Sequence, residues 1–228
     1  MHLEKEFCDV ERVGVENIWP IPLAYYKYPD DKQEEFKQAV RRAIKKVEGG
    51  KNDWQDNIWH FYQHANEHLL NDNKDEPIFE HFHTWLKSCY KDYVITLQKW
   101  DMDPNAFVTD CWVNITKKGG EQVIHTHANA FVSGTYYVRL DPGVGGIAFN
   151  NPNIMPNRPY IGCNASDMTI YNASGWMGAQ KEGVLILWPG HVAHHTEKTT
   201  DGTRVSVSMN FTPEVFTAGA YRYRIAPE

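Results

Sequence analysis

The stretch HTHANAFVSGTYYV, residues 125–138, joins a His-x-His pair to a run of residues that is typical of a β-strand. In an extended chain, side chains two residues apart point to the same face. His125 and His127 can therefore contact one metal ion together. The pair alone is weak evidence, because two polar residues near a strand end are the common alternative, so the prediction depends on a third ligand.

Candidates for a third ligand occur in WPGHVAHHTE, residues 188–197, which directly follows an apolar strand-like run. Imidazole nitrogen is a common ligand of divalent transition metals. Three side chains of this stretch can supply it, namely His191, His194 and His195. The residues alone leave the choice among these three open.

Arg204 and Ser206 lie on the next strand-like segment, TRVSVSMNF, where alternation places both side chains on one face. A guanidinium inside a barrel requires an anionic partner, and it binds a carboxylate through two parallel hydrogen bonds. A neighbouring hydroxyl can add one more hydrogen bond. The pattern therefore predicts a seat for a carboxylate near the metal site, with a surface ion pair as the alternative role of Arg204.

The second half of the chain is a series of strand-like segments bounded by Gly, Pro or Asn and rich in β-branched and aromatic residues. These segments are FVTDCWVNITKK, AFVSGTYYVRL, GGIAFNN, DMTIYNA, GVLILWPG and TRVSVSMNFT. Many short strands predict a sandwich or jelly roll, with Trp188 and Phe149 packed inside it. The long loop at residues 150–167 is typical of a functional lid, in which Arg158 and Tyr160 are candidate substrate contacts.

Two amphipathic helices are predicted in the first half of the chain. One lies within residues 31–50 and the other near residues 77–100, each with an apolar stripe along one face. The polar, Asn-rich residues 50–75 between them are expected to form a loop with a short helix. The predicted fold is thus α+β and mainly β, with helices first and one double-sheet β barrel after them.

Composition and charge exclude several classes of protein. With 228 residues and a net charge of −6, the chain lacks the basic footprint of nucleic-acid binding. No apolar run reaches the roughly 18 residues of a membrane span, and the N-terminal residues do not follow the pattern of a signal peptide. The four cysteines form no CxxC pair, so we expect reduced thiols in a cytoplasmic protein.

The segments HTH, SGTYYV, GVLILWPGHVAHH and TRVSVSMNF together resemble the Fe(II)- and 2-oxoglutarate-dependent oxygenases over about residues 108–213. Within that superfamily they are similar to a little-characterised branch with an H-x-H pair and a distal His. The resemblance implies a double-stranded β-helix (jelly-roll) core at residues 107–213. A helical portion at residues 1–106 would pack against it, and residues 214–228 would form a tail of the same single domain.

The resemblance also implies the composition of the metal centre. The ligands would be His125, His127 and His194, and no further catalytic residue is implied. His194 is preferred over His195 and His191 because of its spacing to Arg204 and because of the family pattern. The cofactors would be Fe(II), 2-oxoglutarate and O₂.

The same resemblance assigns the residues that would hold the co-substrate. Arg204 would bind the far carboxylate of 2-oxoglutarate, assisted by Ser206 and by Tyr136, the first tyrosine of the YY pair. Asn114 on the preceding strand would reach the co-substrate or the substrate, and an amide bonded to backbone is its alternative role. The implied activity is a dioxygenase that hydroxylates an unidentified small molecule or peptide and releases succinate and CO₂.

The predicted ligand set departs from the usual facial triad of two histidines and one carboxylate. Three histidines also suit Zn(II), so the ligand set by itself does not distinguish Fe(II) from Zn(II). Two other classes therefore stay open. A cupin-like three-His metalloenzyme would not need Arg204 and Ser206, and a non-catalytic β-sandwich binding module would not need the histidines. A homodimer is a further expectation.

Overall fold

The structure, a computed structural model, describes residues 20–51, 57–64, 66–152, 167, 169 and 173–225. Its helices are α1 (Asp30–Ile44) and α2 (Pro77–Lys91), with a 3₁₀ turn at Asn71–Asn73 and a π-helical turn at Asp92–Leu97. Its strands are β1 (Ala24–Lys27), β2 (Gly50–Lys51), β3 (Ile58–Phe61), β4 (Ala106–Lys117), β5 (Gln122–His125), β6 (Val132–Leu140), β7 (Ile147–Asn150), β8 (Gly175–Met177), β9 (Val184–Pro189), β10 (His194–Thr196), β11 (Thr203–Pro213), β12 (Val215–Ala218) and β13 (Tyr221–Arg224).

Two antiparallel sheets build the core of the molecule. The major sheet has the order β1-β9-β6-β11-β4-β3-β2, and the minor sheet has the order β5-β10-β7-β8. Residues of both sheets line one cavity between them. The predicted double-stranded β-helix, α+β and mainly β, is confirmed. Strands β12 and β13 form a separate hairpin.

The central strand β11 alternates apolar and polar side chains, and this alternation sorts them onto the two faces of the major sheet. Val207, Met209 and Phe211 are fully buried in the core that the sheet forms with the helices. The intervening polar residues face the cavity instead, and they are Arg204, Ser206, Ser208 and Asn210. One face of the sheet therefore packs in the core, and the other carries the polar side chains that line the cavity.

Helices α1 and α2 cover the outer face of the major sheet through a cluster of aromatic rings. Phe36 of α1 stacks on Phe82 of α2 with the ring centroids 4.0 Å apart. Both rings contact Tyr136 of β6 edge-to-face, at 5.6 and 5.0 Å. Burying each such side chain contributes roughly 1.5–3 kcal/mol, so these contacts fix the helices on the sheet.

Several local expectations need correction or lie outside the described residues. Residues 50–75 do not form only a loop with a short helix, because β2 and β3 extend the major sheet beside β4. Helix α1 ends at Ile44, and α2 passes into the π-helical turn after Lys91. The predicted strand at residues 167–173 and the loop with Arg158 and Tyr160 lie mostly outside the described residues.

The packing of the two predicted core aromatics is confirmed. Trp188 is 2% exposed and Phe149 is 4% exposed, and their rings meet edge-to-face at 5.3 Å. None of the described helices is long and apolar enough to span a membrane.

Candidate metal centre and co-substrate cavity

Three histidines meet at one end of the cavity between the sheets. His125 ends β5 and lies opposite His194 of β10 in the register of the minor sheet. His127 follows in the turn after β5, where its backbone N–H donates to the carbonyl of Gly190. One ring nitrogen from each of the three side chains lies within 4.8 Å of the others, which suits shared coordination of one ion.

Hydrogen bonds fix the tautomers of His125 and His194. Nδ1 of His125 lies 2.8 Å from the carbonyl oxygen of Val123, and Nδ1 of His194 lies 2.9 Å from that of Val192. A carbonyl oxygen only accepts, so each Nδ1 carries the proton. The unprotonated Nε2 of each ring is then free to bind a metal ion, as in many metal sites where the second nitrogen is held by the protein.

His127 is held by side chains rather than by backbone. Its Nδ1 lies 2.5 Å from Oδ1 of Asn210 and 3.0 Å from Oγ of Ser133. Nδ2 of Asn210 donates to Oδ2 of Asp110 at 3.1 Å, so the amide oxygen must face the ring. His127 therefore donates from Nδ1, and its Nε2 also carries a lone pair.

Burial keeps two of the three rings neutral. It lowers the pKa of His194 to about 3 against the opposing hydrogen bond to Val192, and His125 and His127 lower it further. Burial also lowers the pKa of His127, against the hydrogen bond to Asn210. Because metal ions bind the neutral imidazole, both rings are ready to coordinate at neutral pH.

The other two candidate histidines do not join the cluster. His195 points away from it, with Nδ1 3.3 Å from Oδ1 of Asn150. His191 is exposed in the turn before β10. Alternation along β10 explains the position of His195, because consecutive side chains of a strand point to opposite faces.

Arg204 is a buried cation at the other end of the same cavity, with 4% of its surface exposed. Its guanidinium donates to the carbonyl of Gly145 at 2.8 Å and to the hydroxyls of Thr116 and Thr196 at 3.0 and 3.3 Å. In the described part of the chain, no carboxylate forms an ion pair with it. Burial lowers its pKa, yet a guanidinium stays protonated in proteins, so the site favours an anion.

The cavity between the histidines and Arg204 has a volume of about 280 Å³. This lies near the lower end of the range of about 300–1,000 Å³ for small-molecule sites. Ser206 lines it beside Arg204, as predicted, and is 4% exposed. A small co-substrate is therefore the appropriate occupant of this space.

The tyrosine that faces the cavity is Tyr137 and not Tyr136, so the prediction for Tyr136 is wrong about its position. Ser206 pairs directly with Tyr137 across the sheet, and Val207 pairs with Tyr136. Cross-strand partners share a face, which places Tyr136 among the helices and Tyr137 beside Arg204. The hydroxyl of Tyr137 is buried and has no hydrogen-bond partner among the described residues.

Asn114 lies in the wall of the cavity and is bonded to side chains, not to backbone. Its Oδ1 accepts from Nε1 of Trp112 at 3.0 Å and lies 2.6 Å from Nδ1 of His60. Its Nδ2 donates to Oγ of Ser208 at 2.9 Å. Because indole N–H only donates, the amide orientation is fixed and His60 must donate from Nδ1. The ring of His60 thus presents an acceptor, Nε2, at the cavity wall.

Acid should destabilise the metal-free protein. Part of this loss of stability is expected from His83 on α2, which lies outside the histidine cluster. Burial lowers the pKa of His83 to about 4, and nearby Lys87 and His68 lower it further. The unfolded chain takes up the proton near pH 6.5, so the stability is complete above that pH and is lost as the pH falls toward 4. This side chain contributes up to roughly 1.4 kcal/mol per pH unit to the loss.

His83→Leu should therefore flatten the dependence of the free energy of unfolding on pH between about 7.5 and 5. Urea unfolding of the metal-free protein at the two pH values measures this change in the free energy of unfolding. The exposed His64 supplies the matched control, His64→Leu, which should leave the dependence unchanged. Equal dependence in wild type and in His83→Leu would contradict the assignment.

A comparison with protein families places residues 110–210 in the family described as "Putative 2OG-Fe(II) oxygenase". This region matches the 2OG-Fe(II) oxygenases, as the sequence resemblance predicts. The three clustered histidines fit the binding of an iron ion. The cofactors of the family are Fe(II), 2-oxoglutarate and O₂. A comparison with curated proteins found no match to this sequence.

Solved structures share the fold of this protein at low sequence identity. HygX from Streptomyces hygroscopicus, solved with nickel, 2-oxoglutarate and hygromycin B bound, is 12% identical with a TM-score of 0.55, covering 86% of this chain and 84% of that chain. The epimerase SnoN from nogalamycin biosynthesis is 10% identical with a TM-score of 0.59, covering 87% and 82%. The viral collagen prolyl hydroxylase vCPH of Paramecium bursaria Chlorella virus-1 is 13% identical with a TM-score of 0.51, covering 83% and 94%. At these identities the likeness shows the fold alone.

Proposed function

We propose that the protein is a dioxygenase that binds Fe(II) through His125, His127 and His194, binds 2-oxoglutarate and hydroxylates a small molecule or peptide. Succinate and CO₂ are the co-products. The observation that carries this proposal is the buried Arg204, which shares a cavity with the three histidines and has no carboxylate partner among the described residues. A buried cation of this kind requires an anionic ligand.

The distance between the two ends of the cavity supports a dicarboxylate. Thr196, which accepts from the guanidinium of Arg204, lies two residues beyond His194 on β10. Two residues of a strand span about 6.6 Å. An extended five-carbon keto acid can therefore contact the metal with one end and Arg204 with the other.

The chain itself binds and orients the co-substrate. Arg204 supplies the positive charge and its remaining N–H donors, and Ser206 supplies a hydroxyl. Tyr137 replaces Tyr136 as the phenol that donates to the far carboxylate. Burial raises the pKa of Tyr137, which keeps its proton available for donation. When bound, the iron supplies the activation of O₂, and the protein contributes position and exclusion of water.

The wall formed by Trp112, Asn114 and His60 gives the substrate side of the cavity a polar character. Its network leaves Nε2 of His60 as an acceptor, as described above. We place the substrate here, where it would present an O–H or N–H group to that nitrogen. The reaction on the substrate is not given by the fold, because neighbours of this fold include an epimerase and a prolyl hydroxylase. The expected homodimer, single-domain organisation and lack of nucleic-acid binding stay predictions.

Anaerobic titration of the metal-free protein with Fe(II) and then with 2-oxoglutarate tests the proposal. Chelation of a ferrous ion by the keto acid should give a weak visible charge-transfer band. Binding of iron without such a band at saturating 2-oxoglutarate would favour the cupin-like three-His metalloenzyme. Failure to bind any divalent metal would contradict both the dioxygenase and the cupin-like metalloenzyme, and it would favour a binding module.

Tyr137→Phe should weaken the binding of 2-oxoglutarate by about ten-fold or more, because a hydrogen bond to a charged group contributes about 1.5–3 kcal/mol. Tyr136→Phe removes the same hydroxyl from the neighbouring residue on the opposite face and is the matched control. The dissociation constant for 2-oxoglutarate is measured for both variants by the charge-transfer titration. If Tyr136→Phe has the larger effect, the assignment of faces at β6 is wrong.

A further inference from the structure

The carboxylate of Asp110 is linked to the metal centre through two consecutive hydrogen bonds. Asp110 Oδ2 accepts from Nδ2 of Asn210 at 3.1 Å, and Oδ1 of Asn210 accepts from Nδ1 of His127 at 2.5 Å. Ser133 Oγ also donates to the amide oxygen at 3.0 Å. Asn210 and Ser133 are buried at 4% and 0% exposure and Asp110 is half-buried, so the central amide of this path is shielded from water.

The order of donors along this path is determined by chemistry. The ionised carboxylate of Asp110 can only accept, so the amino group of Asn210 faces it and the amide oxygen faces His127. The path polarises in one direction, from His127 through Asn210 to Asp110. Such chains of hydrogen bonds strengthen one another in a low-dielectric interior.

His127 differs in this respect from the other two histidines. Nδ1 of His125 and of His194 each contact a neutral backbone carbonyl. Of the three rings, His127 alone is joined to a carboxylate by hydrogen bonds within the described residues. It also lies two residues after His125, at the position where the usual facial triad carries its carboxylate.

Three neutral imidazoles leave the charge of a divalent ion without compensation. A hydrogen-bonded carboxylate behind a ligating histidine raises the basicity of the ligand and fixes its orientation. We propose that Asp110, acting through Asn210, is a positioning residue that supplies His127 with the negative charge which the ligand set lacks. No proton is transferred in this arrangement, since each group keeps the protonation state described above. The inference rests on the proposed function, because it concerns the same metal centre.

Two substitutions separate the charge of Asp110 from its geometry. Asp110→Asn keeps an oxygen that accepts from Asn210 and removes the charge. The double variant Asp110→Asn/Asn210→Asp keeps every hydrogen bond of the path and moves the charge one step toward His127, because the new carboxylate accepts from His127, Ser133 and the new amide. Thr109→Val is the control, since Thr109 Oγ1 also donates to Asp110 Oδ2, at 3.1 Å, but lies off the path.

The readout is the dissociation constant for Fe(II), measured anaerobically by competition with a chromophoric chelator before 2-oxoglutarate is added. We expect Asp110→Asn to bind Fe(II) about ten-fold more weakly, as is typical when a partner of a ligating histidine is lost. The double variant should recover the wild-type affinity or exceed it. Thr109→Val should bind as wild type does.

Wild-type affinity in Asp110→Asn would overturn the inference. A double variant as weak as Asp110→Asn would also overturn it, because a negative charge restored on the path would then fail to restore iron binding. The charge-transfer band of the wild type with 2-oxoglutarate is recorded in the same series. If that band forms while Asp110→Asn binds iron normally, the role proposed for Asp110 is wrong and the dioxygenase proposal stands. If the wild type binds no Fe(II), both are wrong.

Discussion

Replacing His194 by alanine is expected to remove specific metal binding, whereas replacing the adjacent His195 leaves it unchanged. His194 contributes one of the three ring nitrogens that converge within 4.8 Å, and its burial holds it in the neutral form. Loss of a ligand should exceed the roughly 10–100-fold cost of losing a group behind a ligand. We therefore expect an affinity for Fe(II) more than about 100-fold weaker in His194→Ala.

Calorimetric titration with Fe(II) under anaerobic conditions measures this difference, and His195→Ala is its matched control. The control removes an identical side chain at the next position, where Nδ1 contacts Asn150 outside the cluster. Thermal unfolding of the metal-free variants verifies that both are folded. A large loss in His195→Ala with little change in His194→Ala would reverse the assignment of the distal ligand.

Arg204→Met should abolish binding of 2-oxoglutarate at millimolar concentration while iron binding persists. The substitution keeps an unbranched side chain and removes the buried charge that an anion would contact. Truncating one partner of a buried, hydrogen-bonded charge pair costs about 2–5 kcal/mol, which corresponds to a loss of affinity of about 30-fold or more. The charge-transfer band should accordingly be lost.

The stability of Arg204→Met without ligands gives a second, independent result. In the described structure the guanidinium is buried and has hydroxyl and carbonyl partners but no anion. A buried charge without a counter-ion is costly, so the unfolding temperature of Arg204→Met should not fall below that of wild type. Arg139→Met, which removes a half-exposed guanidinium paired with Asp141, is the control and should bind 2-oxoglutarate normally. An intact band in Arg204→Met would exclude Arg204 as the carboxylate seat.

The polar face of β11 could be predicted from the sequence because the two faces of that strand have different environments. Arg204 and Ser206 alternate with Val205 and Val207, and this pattern by itself placed the first two on a common face. The structure has them in the cavity together. Alternation is reliable here because one face of the sheet packs on the helices and the other lines a polar cavity.

The faces of β6 could not be predicted in the same way. All residues from Val132 to Val138 are buried, so neither polarity nor hydropathy distinguishes the two sides of the strand. An irregularity in the pairing of β6 with β11, between Val205 and Ser206, then sets which tyrosine lies opposite Ser206. A shift of one residue exchanges the faces, so the family resemblance, which implied Tyr136, did not fix which tyrosine lines the cavity.

The groups behind the metal ligands were also out of reach of sequence analysis. Asn210 and Asp110 lie far from His127 along the chain, and they meet because β11 and β4 pair in one register of the major sheet. His60 reaches the cavity wall only because β3 joins the same sheet, in a region whose polar composition indicated a loop. Polar residues with no local periodicity carry no signal for such long-range contacts.

The sequence by itself therefore determined the features that depend on local spacing: the His125–His127 pair, the polar face with Arg204, and the mainly β second half. Tertiary structure decided the features that depend on register between distant strands. It places His194, which the family resemblance already favoured, opposite His125. It also turns Tyr137 rather than Tyr136 toward the cavity, and it joins Asp110 to His127 through Asn210. Periodicity is a property of the covalent chain, whereas register is fixed only when the sheets pack around a common core.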